Sequence, residues 1–174
     1  MKWQQALTDY QHYLRIERGL SANSIENYQY DIVKLISYLE ENKIEASPIK
    51  ISEEKIQEFI YQVSKTMSER SQSRIISGLR SFFDYLVFED LRKDNPLELI
   101  ESPKIGRKLP DTLSTEEIDQ LIESIDLSHA QGERNRCILE TLYSCGLRVS
   151  ELITLKLSDL YFEEGFIRVS GKGN

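Results

Sequence analysis

Two short stretches carry residue types that could do chemistry. In Gly146-Leu147-Arg148-Val149-Ser150-Glu151-Leu152, an arginine precedes a glutamate by three residues. One helical turn separates them, so the carboxylate can hold the guanidinium in place. A guanidinium held this way can bind phosphate oxygens through paired hydrogen bonds. In Val169-Ser170-Gly171-Lys172-Gly173-Asn174, a lysine stands between two glycines after a strand-like run. An ammonium group can donate a proton, and flanking glycines let a loop approach a ligand closely. Spacing alone favours plainer readings: a surface arginine at a helix start, and a flexible charged tail.

Such residues need a scaffold, and the apolar spacing supplies one. Trp3, Ala6, Leu7, Tyr10, Tyr13 and Leu14 recur at helical intervals, and Gly19 ends that helix. Ser21 offers an N-cap for a second helix to about Glu41, with Ile25, Tyr28, Ile32, Leu35, Ile36 and Leu39 on one stripe. Ser52, Glu53 and Glu54 open a third, with acids at the positive end of its dipole. A fourth runs from near Ser68 to about Phe88. Its Ile75, Ile76, Leu79, Phe82, Phe83 and Leu86 face a core, and Arg74, Ser77, Gly78 and Arg80 lie mostly elsewhere. Asn95-Pro96 opens a further short helix through Leu99. The stretch SPKIGRKLP, 102–110, has proline near its start and at its end, an internal glycine and three basic residues, and is the best linker in the chain. Beyond it, Ser114 and Glu117 form a capping box. A helix follows to about Ile125, then one from about Glu133 to Cys145 stopped by Gly146. A short helix spans Ser150–Leu155. Leu160–Phe162 and Phe166–Val169 read as a β-hairpin with a glycine turn at Gly165. A lone hairpin is marginal in water, so further sheet is expected after it.

The totals narrow the class. The 174 residues are 40% hydrophobic and 29% charged, which is globular composition with enough apolar content for a core. No apolar run approaches the roughly 18 residues of a membrane span. The N-terminus lacks a signal peptide's apolar run. A soluble, cytoplasmic protein is expected. Cys137 and Cys145 lie about 12 Å apart along one helix, too far for a disulfide. Buried, reduced thiols are expected. No metal-ligand spacing accompanies them or His12 and His129, so no metal cofactor is expected. The net charge of −7 argues against a nucleic-acid partner. Its distribution argues back: Lys65, Arg70, Arg74 and Arg80 cluster, as do Lys104, Arg107 and Lys108, on an otherwise acidic chain.

GLRVSEL followed by GKGN across a hairpin resembles the tyrosine recombinases, or phage integrases, of the Xer group. RGLSANSIENYQYD, SRIISGLRSFFDYL, DNPLELIESPK and LPDTLSTEEID fall in that family's order, so the resemblance covers essentially the whole chain. It implies a mainly α protein. Residues 1–101 would be a SAM-like helical core-binding domain that clamps DNA, and 102–110 a basic linker. Residues 111–174 would be the truncated start of an α+β catalytic domain ending in a β-hairpin. The implied chemistry is strand exchange through a 3′-phosphotyrosyl intermediate, without metal or ATP. Arg148 matches the family's first catalytic arginine and Glu151 would support it. Lys172 matches the hairpin lysine that acts as general acid. The second and fourth helices would enter the major groove. That makes Asn23, Asn27, Tyr28, Arg74, Ser77 and Arg80 DNA-binding candidates, with Lys104, Arg107 and Lys108 on the linker. Tyr28 equally fits the core, since it shares a stripe with Ile25 and Ile32.

The family pattern continues with a His-x-x-Arg box, a further His or Trp, and a nucleophilic tyrosine. None is matched in these 174 residues, whose last tyrosine is Tyr161. The polypeptide is therefore expected to bind DNA at most and not to cleave it. The parent's partners would be a double-stranded recombination site and further recombinase subunits in a tetramer. The 174 residues alone are expected to be monomeric. A chromosome-dimer resolvase is the leading role. A phage or transposon integrase, or a non-catalytic DNA-binding regulator of the same fold, stands as the alternative.

Overall fold

In the computed structural model, the described residues are 1–106 and 109–171. Arg107, Lys108 and Lys172, with Gly173 and Asn174, lie outside them. Contacts divide the chain into two compact units, Met1–Arg107 and Lys108–Asn174.

The first unit is built on four helices: α1 (Trp3–Ile16), α2 (Ala22–Glu41), α3 (Glu53–Thr66) and α4 (Glu69–Phe88). The caps follow the local sequence. Ser21 and Ser68 each accept a hydrogen bond from the amide three residues on, Ser24 and Ser71, at 3.4 Å. Gly19 takes φ +58°, and the Leu20 amide returns to the Leu14 carbonyl at 3.0 Å. α2 packs against both α1 and α4, and α3 against α4. Their shared core holds every buried hydrophobic residue among those described, from Ala6 to Leu97. An aromatic group sits at its centre. Tyr10 meets Phe82 edge-on at 5.3 Å, and Trp3 stacks on Phe82 at 6.1 Å. The Tyr10 hydroxyl donates to Ser81 Oγ at 2.9 Å, so its burial leaves no orphaned polar group.

Residues 96–99 form a turn, not the short helix their sequence predicts. Asn95 Oδ1 caps the segment by accepting from the Leu97 amide at 2.9 Å, but the backbone bonds that follow close after three residues, Glu98 to Asn95 and Ile100 to Leu97, so it stays a turn. Arg80 of α4 then takes the carbonyl of Ile100 at 2.7 Å, which ties the turn to the bundle.

The second unit contains α5 (Thr115–Glu123), α6 (Gly132–Cys145), α7 (Val149–Ile153), a 3₁₀ turn (Leu157–Asp159) and a hairpin of β1 (Leu160–Tyr161) and β2 (Phe166–Ile167). Ser114 and Glu117 form the capping box reciprocally, at 3.2 and 2.8 Å. Gly146 closes α6 at φ +62°, and Gly165 turns the hairpin at φ +72°. β1 and β2 run antiparallel, with Leu160 opposite Ile167 and Tyr161 opposite Phe166. Among the described residues of this unit only Gly132 is buried. Leu121, Tyr143, Val149, Ile153 and Leu157 are exposed. Cys137 and Cys145 are free, as expected, but exposed rather than buried. The helix that carries them has no buried apolar face here to bury them with.

Candidate nucleic-acid interface

On α2, Asn23, Asn27 and Asp31 follow one another at intervals of four and so share one side of the helix. Asn23 and Asn27 are exposed, and the Asn27 amide donates to the Asn23 carbonyl at 2.8 Å. Tyr28 is half-buried and meets Tyr10 edge-on at 6.4 Å, so its ring belongs in part to the core. On α4, Arg74 and Ser77 are exposed and Arg80 is half-buried.

The two helices touch where Asp31 meets Gly78. A Cβ on Gly78 would fall 2.5 Å from Asp31 Oδ2, so only glycine allows this approach. Gly78 is thus a packing residue, buried in the interface and not on the polar side of α4. Arg74 lies one turn before Gly78, and its Nη1 is 2.8 Å from both Asp31 oxygens. The hydrogen direction serves Oδ2, and buried Oδ1 has no aligned donor among the described residues. Asp31 is the one buried charged residue described. Burial pushes its carboxyl up to about 6, against the opposing pull of Arg74 and Lys34.

Arg80 is engaged in the fold. Its Nη2 donates to the Ile100 carbonyl at 2.7 Å, and its own carbonyl accepts from Asn95 at 3.1 Å. Arg80 and Ser77 also line a recess of about 370 Å³ with Arg18, Tyr13 and Ser81. Sequence spacing gave no signal for Arg18, which follows the end of α1 and lines this recess from outside α4. Lys104 is exposed. Arg107 and Lys108 lie outside the described residues.

In the second unit, Gly146 turns the chain out of α6 and Arg148 stands in extended conformation before α7. Glu151 grips Arg148 twice. Its Oε2 accepts the Arg148 amide at 2.8 Å and its Oε1 accepts Nη1 at 2.7 Å. The backbone bond, then the guanidinium, hold the Glu151 carboxyl below the usual carboxylate range. The Arg148 side chain is 69% exposed and that of Glu151 10%, so the anchor is covered and the cation is open. Gly171 passes close by: a Cβ there would lie 3.6 Å from Glu151 Oε1. The chain thus reaches the Arg148–Glu151 pair one residue before Lys172, which itself lies outside the described residues. A recess of about 350 Å³ beside the pair is lined by Glu151, Lys156, Asp159, Arg168 and Ser170. Arg168 and Asp159 clamp the hairpin base at 2.7 Å, a pairing that no sequence motif announced. Among the described residues no group of three or more His, Cys, Asp or Glu could hold a metal ion, and no helix is long and apolar enough to cross a membrane.

Each unit thus presents an exposed arginine held by a carboxylate, Arg74 by Asp31 in the first and Arg148 by Glu151 in the second. Guanidinium groups with open N–H donors suit phosphate oxygens.

Two family profiles cover most of the chain: "Phage integrase, N-terminal SAM-like domain" over residues 7–90 and "Phage integrase family" over residues 111–174. The tyrosine recombinase XerD of Oceanobacillus iheyensis is 42% identical over 170 residues, 97% of this chain and 57% of that protein. XerD of Listeria innocua is 38% identical over 169 residues, again 97% and 57%. The chain thus spans little more than half the length of these relatives. Among solved structures, a lambda integrase dimer bound to a COC′ core site superposes with a TM-score of 0.77 at 20% identity, over 99% of this chain and 46% of that one. That likeness is one of fold.

Proposed function

This chain belongs to the phage integrase family, and from that premise we propose that it is the DNA-clamping and arginine-bearing part of a Xer-type tyrosine recombinase. Residues 1–101 grip one face of a duplex, 102–110 form a basic linker along it, and 111–174 begin the catalytic domain. The observation that carries this reading is the junction of α2 and α4, where Arg74 is held on Asp31, with exposed Asn27 and Asn23 one and two turns before Asp31 on α2 and exposed Ser77 next to Gly78 on α4. Amides and hydroxyls beside a guanidinium suit base edges and phosphates. Tyr28, Arg80 and Lys104 are further DNA-binding candidates, as are Arg107 and Lys108 of the basic linker.

The whole recombinase would cut and rejoin DNA. A tyrosine hydroxyl attacks a backbone phosphate, forms a 3′-phosphotyrosyl bond and frees a 5′-hydroxyl; a partner strand's 5′-hydroxyl reverses the step. Arg148, held by Glu151, would stabilise the charge that builds on the non-bridging oxygens. Lys172 would protonate the departing 5′-oxygen. The residues would act in the cytoplasm, in a tetramer on two duplexes, with chromosome-dimer resolution as the leading role and phage or transposon integration as the alternative.

The test is duplex binding by the 174-residue chain, measured by fluorescence anisotropy from about 50 to about 200 mM salt. Affinity should fall steeply with salt, no phosphotyrosyl adduct should form, and light scattering should report a monomer. Absence of binding at the lowest salt would sink the reading.

A further inference from the structure

Asp31 makes no contact that the strand-exchange chemistry requires. It lies 3% exposed in the α2–α4 interface, and Gly78 leaves it no space to move toward α4. It grips Arg74 through Nη1 alone. Among the described residues, Nε and Nη2 of Arg74 have no hydrogen-bond partner, and the side chain is 44% exposed. The guanidinium is pinned at its inner nitrogen and open at its outer edge. Guanidinium geometry permits both contacts at once, because its five N–H donors diverge in a plane.

We propose that Asp31 is a positioning residue for DNA: it fixes the Arg74 guanidinium so that Nε and Nη2 face a backbone phosphate diester. This rests on the duplex-binding reading above. An arginine free in solvent must lose rotamer freedom on binding, and one already anchored loses less. The anchor needs Asp31 ionised. The charges acting on Asp31 are Arg74 from α4 and Lys34 from its own helix, and burial outweighs both, so its carboxyl titrates near 6. The positioning effect is therefore present above that pH and lost below it.

The experiment compares the wild-type chain with Asp31→Asn, Arg74→Ala, the double variant and Arg74→Lys on a short mixed-sequence duplex at low salt. Asparagine keeps the shape of Asp31 and removes its charge. Asp31→Asn should bind about tenfold more weakly than wild type at about pH 8 and equally at about pH 5. In the Arg74→Ala background, Asp31→Asn should have no effect at either pH. Arg74→Lys, which keeps the exposed charge without the planar fork, should bind no better than Arg74→Ala at about pH 8. Wild-type affinity in Asp31→Asn at pH 8, an equal loss at both pH values, or wild-type affinity in Arg74→Lys would each overturn the proposal while leaving DNA binding intact. A wild-type chain that binds no duplex would bring down both.

Discussion

Glu151 holds Arg148 at two points at once, accepting its backbone amide at 2.8 Å and its guanidinium at 2.7 Å. The first bond starts α7 and the second aims the side chain, so one carboxylate both builds the helix and orients the cation. Glu151→Ala should remove both. We expect amide protection across Val149–Ile153 to fall about fivefold by hydrogen exchange, the effect of one lost hydrogen bond near 1 kcal/mol. Because the folded carboxyl is held low, the contact persists above its ordinary range and disappears as pH falls through the depressed value. Protection unchanged by the substitution would mean that α7 does not depend on Glu151.

Gly78 marks the closest approach of α2 and α4. Gly78→Ala would set a methyl group 2.5 Å from Asp31 Oδ2. Helix propensity favours alanine by about 1 kcal/mol, but the crowding should win, at about 1–3 kcal/mol. Urea unfolding should show net destabilisation. A more stable Gly78→Ala chain would show that the interface has slack.

Asp31 also leaves a mark on stability. Its folded carboxyl titrates near 6, above its ordinary 3.8. Between those values the folded state binds more protons than the unfolded one, so this group's contribution falls as pH rises through that window and is level above it. Carboxylates held low, such as Glu54, act in the opposite sense. The difference between wild type and Asp31→Asn isolates the term: wild type should lose stability relative to the variant from about pH 4 to about pH 6. A constant difference across that range would contradict the assignment.

Arg80 and Arg74 should separate in experiment. Arg80 bonds the carbonyls of Ile100 and Leu97, at 2.7 and 3.5 Å. Arg80→Ala should therefore cost about 1–3 kcal/mol of folding stability. Arg74→Ala should instead lower the slope of log affinity against log salt by about 0.9, the value of one phosphate contact. If Arg80→Ala leaves the melting temperature unchanged, its contacts with the 95–100 turn are incidental.

The two units should differ in protection. All described buried hydrophobics lie between Ala6 and Leu97. Amides of α1, α2 and α4 should exchange slowest, and those of α5 to β2 should exchange far faster. Equal protection in both units would show a source of stability beyond apolar burial.

Much of the scaffold was legible from local rules. The stripes in the first four helices, the serines at 21, 68 and 114, and the glycines at 146 and 165 act within a few residues of themselves. Their signals therefore survive in one dimension. The turn at 96–99 was misread because the group that holds it, Arg80, comes from α4. The cysteines were misread because type preference assumes a core to enter, and α6 has only Gly132 buried. Arg148 and Glu151 were legible as a pair because one helical turn joins them.

By itself, the sequence determined where the four long helices begin and end and which of its residues could meet a phosphate, since caps, turns and i, i+3 pairs act between near neighbours. Only the tertiary structure decided which of those polar groups are already engaged. Arg80 is bound to the turn at residues 95–100, Tyr28 leans into the core, and Arg74 is pinned by Asp31 from 43 residues away. That pairing exists because α2 and α4 close to contact at a glycine, and distance in the folded chain, not along it, sets which charge a buried carboxylate can reach.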